Sequence, residues 1–184
     1  MTGETIGGLR VLAEARWPEP GDAAPPTLPG FVHSTFSPVV AAVADRCLTR
    51  RHGERPAPEP VAARTAVVLV SAAGDRASAD HVRATVAQGG RPGPLFFFQS
   101  VPNSVAGHVA ARWGLGGPVV CVAPTGDPLA EGTAEAELLC ADGDADETLL
   151  IMIEQPPGDA GAAGPGEAPG TRAVAVLLGG GDTR

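Results

Sequence analysis

Four short apolar runs, rich in β-branched residues, constrain this chain more than any other feature. They are residues 66–71 (AVVLVS), 119–123 (VVCVA), 148–154 (TLLIMIE) and 173–178 (AVAVLL). Runs of this length and continuity suit strands covered on both faces of a sheet. A fifth, less apolar stretch at 9–14 reads as a short first strand. Segments of helical spacing separate most of these runs, so the expected architecture is α/β: layered helices on a mixed, mostly parallel sheet.

The helices carry their own start signals. Ser37-Pro38 places serine at an N-cap and proline at the first helical position, and Val39, Val40, Val43, Cys47 and Leu48 follow at helical spacing, predicting a helix from about 37 to 50. A second helix is expected over 76–88 and a third over 99–113, stopped by Gly114, Gly116, Gly117 and Pro118. Asp127-Pro128 repeats the cap-then-proline signal and opens a helix to about Cys140. Residues 156–171 are low-complexity Gly/Ala/Pro and read as a loop within one domain spanning 1–184.

Composition narrows the function classes. Aromatics make up 4% of the chain and tyrosine is absent, so the core must be built from Ala, Val and Leu. The net charge is −8, carried by residues 126–184, which hold 12 acids against 2 arginines. That balance argues against nucleic-acid binding, which needs phosphate-neutralising patches. No apolar run approaches the length of a membrane span. Cys47, Cys121 and Cys140 form no C-x-x-C pair, which excludes the common zinc and redox motifs and fits a reduced cytoplasm. No metal or cofactor is expected. The glycines at 114, 116 and 117 precede a strand, whereas phosphate-binding loops follow one.

Residues 96–122, FFFQSVPNSVAGHVAARWGLGGPVVCV, resemble a stretch of the β-ketoacyl synthases, which have the thiolase fold. In that family a Phe-rich turn precedes an S-x-x-N-x-x-A-G-H helix, a G-L-x-G-P turn and then the strand that delivers the nucleophile. The matching positions here are Asn103, Ala106, Gly107, His108, Gly114, Leu115, Gly117 and Pro118. The chain is similar to the β-ketoacyl synthase N-terminal-like proteins found with bacterial polyketide and fatty-acid genes. The resemblance implies a thiolase-like fold, N-terminal half only.

It also locates a missing group. The family's nucleophilic cysteine falls at position 126, and this chain has Gly126, within Val122-Ala123-Pro124-Thr125-Gly126. The chemistry requires a thiolate at a helix N-terminus, where backbone N–H groups lower its pKa and hold an oxyanion. Glycine keeps the turn and removes the thiol. The catalytic histidines of the family belong to the other half of a full ketosynthase.

Two readings from different classes follow. In the first, the chain is a non-catalytic accessory subunit in polyketide or fatty-acid assembly, partnered by a ketosynthase, a ketosynthase/chain-length-factor pair or an acyl carrier protein, or by itself in a homodimer. Phe96, Phe97 and Phe98, with Val119 and Cys121, would then line an acyl tunnel or an interface, and Arg46, Arg50 and Arg51 would dock an acidic carrier protein. In the second, it is a small acyltransferase or thioesterase-like enzyme using Cys121 or Ser104 with His108, since Ser104 and His108 stand four apart on one helix. The plainer expectations are that Cys121 is a buried small hydrophobe, that His108 hydrogen-bonds inside the fold, that the arginines are a solvated helix end, and that Glu131 and Glu135 lie on a solvated face.

Overall fold

Thr65–Val70 (β3) is the spine of the fold, and every one of its six residues is buried. The computed structural model describes residues 4–24, 27–155 and 170–180, apart from the side chains of residues 95, 97 and 99. The expected loop at 156–171 therefore falls almost wholly outside the described residues, as does the side chain of Phe97.

Strand β3 pairs in parallel with Val119–Val122 (β4) on one side and with Glu147–Glu154 (β5) on the other. Beyond β5 the sheet continues antiparallel through Arg172–Gly179 (β6), Leu9–Trp17 (β2) and Thr5–Ile6 (β1). The order is β1-β2-β6-β5-β3-β4. The sheet is mixed, as expected, but its parallel share is smaller: two of five strand pairings. The reason lies in the connections. Helices join β3 to β4 and β4 to β5, and helical crossovers return the chain parallel. Strands β5 and β6 run antiparallel.

Strand alternation sorts the core into two layers. Val67, Leu69, Leu149, Ile151, Ala175 and Leu177 face one side, against Ser37–His52 (α1) and Pro102–Trp113 (α4). Ala66, Val68, Val70, Leu150, Val176 and Leu178 face the other, against Pro128–Ala141 (α5). Burying each Val, Leu or Ile fully stabilises by roughly 1.5–3 kcal/mol. The second layer is thinner: Val120, Val122, Met152 and Val174 are only partly covered there.

Three local expectations are corrected. Helix α1 begins at Ser37, but its cap is not the Ser37 side chain: Ser34 Oγ accepts from the N–H groups of Phe36 (3.2 Å) and Ser37 (2.7 Å). The helix expected over 99–113 starts later, as α4, because the ring of Pro102 disfavours helical backbone at Val101, and a separate short helix, Pro94–Gln99 (α3), precedes it. The first strand is longer than 9–14 because it pairs along its length with β6. The helix over 76–88 forms as Arg76–Ala87 (α2), with Asp75 accepting from Ser78 N–H at 3.1 Å.

Candidate functional site

The turn from β4 into α5 is where the resemblance to the ketosynthases would put their nucleophile. Asp127 caps α5, its Oδ1 accepting from Ala130 N–H at 2.7 Å, and Pro128 follows. The helix N-terminus needed to activate a thiol is thus built as expected. The two N–H groups of the turn just ahead of it are already engaged. Glu131, one turn into the helix, folds back so that Oε1 accepts from the N–H groups of Gly126 (2.5 Å) and Thr125 (2.9 Å). Oε2 accepts from Thr125 N–H at 3.2 Å, and Thr125 Oγ1 donates to Oε1 at 3.3 Å. Glu131 is therefore not simply a solvated face residue. Its carboxylate ties the turn back onto the first turn of α5.

The remaining candidates do not assemble around that turn. Cys121 is exposed, not buried, because β4 is an edge strand with one half-covered face. Its thiol points back and donates to Asn103 Oδ1 at 3.2 Å, and desolvation around the sulfur raises its pKa. A reactive cysteine needs the opposite shift. Ser104 Oγ donates to the carbonyl of Phe98. His108 meets the edge of Phe31, with ring centroids 6.0 Å apart, and its buried Nε2 has no hydrogen-bond partner, contrary to the expected internal bond. Among the described residues no hydrogen bond joins His108 to Ser104 or Cys121. Cys47 is fully buried, with burial pushing its thiol up to about 12, and Cys140 sits near Thr148 Oγ1 at 3.9 Å.

The aromatic cluster lies in α3. Phe96 packs against His33 and His81, whose rings stack on each other at 4.0 Å, while Phe98 is 66% exposed. Val119 and Cys121 lie on β4, at the end of the sheet, and α4 packs between α3 and that strand. The arginines of α1 are internally paired. Arg46 makes a two-point contact with Asp22 (2.7 and 2.6 Å) and lies over the Trp17 ring. Arg50 grips Glu19 (2.9 and 2.7 Å), and Arg51 reaches Glu147 at 3.3 Å. Asp22 and Glu19 were not foreseen as their partners. Both lie in or beside the Pro/Gly-rich 17–30 segment, whose path leaves no periodic signal. No group of three or more metal-binding side chains occurs among the described residues, and no described helix is long and apolar enough to cross a membrane.

The layered α/β sheet, with a capped helix following the strand after a G-L-x-G-P turn, defines a thiolase-like protein of ketosynthase type. Residues 37–184 match the family described as beta-ketoacyl synthase, N-terminal domain, and the chain belongs to that family. Comparison with curated protein sequences gives no match. Among solved structures, the chain is similar to a ketosynthase in complex with its chain length factor from Xenorhabdus doucetiae, with 19% identity, a TM-score of 0.69, and coverage of 96% of this chain and 80% of that one. It is also similar to the ishigamide ketosynthase/chain length factor, at 19% identity and a TM-score of 0.68 over 90% of this chain. A beta-ketoacyl synthase from Burkholderia phymatum gives 17% identity and a TM-score of 0.63 over 89% of this chain. The chain spans about half the length of these last two, 49% and 47%.

Proposed function

We propose that this chain is a non-catalytic, ketosynthase-like subunit that works in polyketide or fatty-acid assembly by associating with a ketosynthase. The observation that carries this reading is the turn at Gly126. It offers no nucleophile, and Glu131 engages the N–H groups of the turn. Two of the similar structures are described as ketosynthase/chain-length-factor assemblies, which supports a partner of that kind.

The surface for that partner, on this reading, runs from the β4 edge across α4 to the exposed part of α3. Val119, Cys121, Phe96 and Phe98 would lie along it, at an interface or at the wall of an acyl tunnel. Carrier-protein docking through Arg46, Arg50 and Arg51 gains less support, because each guanidinium already serves a carboxylate. The reduced thiols are in keeping with a cytoplasmic assembly.

Co-expression with the ketosynthase encoded nearest to it, followed by affinity capture and size-exclusion mass, tests the reading. A stable complex of the two chains is the expected result. Recovery of this chain alone, as monomer or homodimer, would overturn it. Covalent labelling of Cys121 or Ser104 by an acyl-thioester probe, abolished by Cys121→Ala or Ser104→Ala, would show the acyl-transfer alternative instead.

A further inference from the structure

A cleft of about 460 Å³ lies at the other end of the sheet from the Gly126 turn, where β3 and β5 begin and β6 ends. Three arginines line it from separate parts of the chain: Arg10 on β2, Arg51 at the end of α1, and Arg64 just ahead of β3. Two carboxylates, Asp146 and Glu147, also line it, so among the described lining residues three cations meet two anions and one positive charge is left over.

The pairing shows where that charge resides. Arg64 holds both oxygens of Asp146, at 2.7 and 2.9 Å, and also donates to the Gly143 carbonyl at 2.9 Å. Arg51 makes a single, longer contact of 3.3 Å with Glu147 Oε1. The other oxygen of Glu147 is sealed from solvent and faces His52 Nε2 at 3.8 Å, so it is not offered to the cleft. Arg10 pairs through its backbone with β1 and β6, and its guanidinium has no hydrogen-bond or ion-pair partner among the described residues. The cleft therefore presents to solvent one free guanidinium, one loosely held guanidinium and an apolar wall of Leu12, Pro60 and Val61.

We propose that this cleft binds a small oxyanion, a carboxylate or phosphate group carried on a compact molecule. Arg10 supplies the two-point contact, and Arg51 supplies a second donor. A planar guanidinium fork matches both anions in geometry. The surplus of one charge favours a carboxylate over a phosphate, which is mostly doubly charged near neutral pH, and the apolar wall accepts a short hydrocarbon portion. The site is independent of the partner reading, because it lies at the opposite end of the sheet from the β4–α5 turn.

The test is titration of the folded chain with acetate and with inorganic phosphate at low ionic strength, followed by amide chemical shifts at residues 10–12, 60–64 and 179–180. Saturable binding of at least one anion is expected. Arg10→Gln should weaken it roughly tenfold, and Arg10→Lys, which keeps the charge and loses the fork, should fall between. Shifts that grow linearly without saturation, or that are identical in wild type and Arg10→Gln, would overturn the site. Circular dichroism of both variants confirms the fold, which is expected to persist because Arg10 is exposed.

Discussion

At position 126 a hydrogen atom stands where the resemblance places a thiol, and the carboxylate of Glu131 lies beside it. A β-carbon there would meet Glu131 Oε1 at 3.2 Å. Gly126→Cys alone is therefore expected to give a sluggish thiol, because an adjacent anion raises its pKa and the N–H donors are already engaged. Adding Glu131→Gln removes the anion. A drop of one pKa unit gives about tenfold more thiolate near neutral pH, and the pH dependence of iodoacetamide alkylation would reveal it. Equal alkylation rates for the single and double variants would show that Glu131 does not control this turn. His52 makes a second prediction at this scale. Burial lowers its pKa from the ordinary 6.5, outweighing the nearby Glu147. The unfolded chain then binds the proton more readily, so acidification through 6.5 favours unfolding. Urea midpoints should fall as pH drops from about 7 to the folded-state pKa of His52 and flatten below it. His52→Gln should lessen that slope.

Among the elements, the G-L-x-G-P turn has a physical reason that its letters alone do not give. Gly117 N–H donates to the Thr65 carbonyl at 3.1 Å, and a β-carbon at Gly117 would lie 2.6 Å from that same carbonyl. Backbone cannot retreat as a flexible side chain can. Gly117→Ala should cost roughly 1–3 kcal/mol, read from urea unfolding followed by Trp113 fluorescence, and an unchanged midpoint would contradict the close approach. The strands were legible because burial on both faces leaves continuous apolar runs. Asp127-Pro128 was legible because capping is local. The break between α3 and α4 was signalled by Pro102, but apolar spacing on both sides of it concealed the signal. The return path of Glu131 had no sequence signature, since a glutamate in a first helical turn looks the same whether it faces water or the preceding turn. Burial of Cys121 was misjudged for a related reason: VVCV has the composition of a central strand, and its place at the sheet's end is set by strand order, which local pattern does not encode.

For the molecule as a whole, the consequence of that strand order is an unprotected edge. Sheets are usually guarded at their ends by charge, proline or a covering segment. Here the guarded end is the other one: β1 is two residues long and is preceded by Glu4. The β4 end has the uncharged sequence VVCV, with Val119, Val120 and Val122 only half covered and Cys121 exposed. The layer under α5 is also thin on this side, at Val120, Val122 and Met152. Edge and thin layer together leave a partly uncovered apolar surface among the described residues, of the kind that a partner chain would cover. On the proposed reading that chain is a ketosynthase, which separates effects on folding from effects on assembly. Cys121→Lys puts a charge on the exposed edge without filling a core position. Its unfolding midpoint should stay within about 0.5 kcal/mol of wild type, while capture of the ketosynthase should be lost. Capture at wild-type levels by a folded Cys121→Lys chain would place the partner elsewhere. Loss of capture by Arg46→Gln instead would move it to α1, where the Asp22 pairing argues against it.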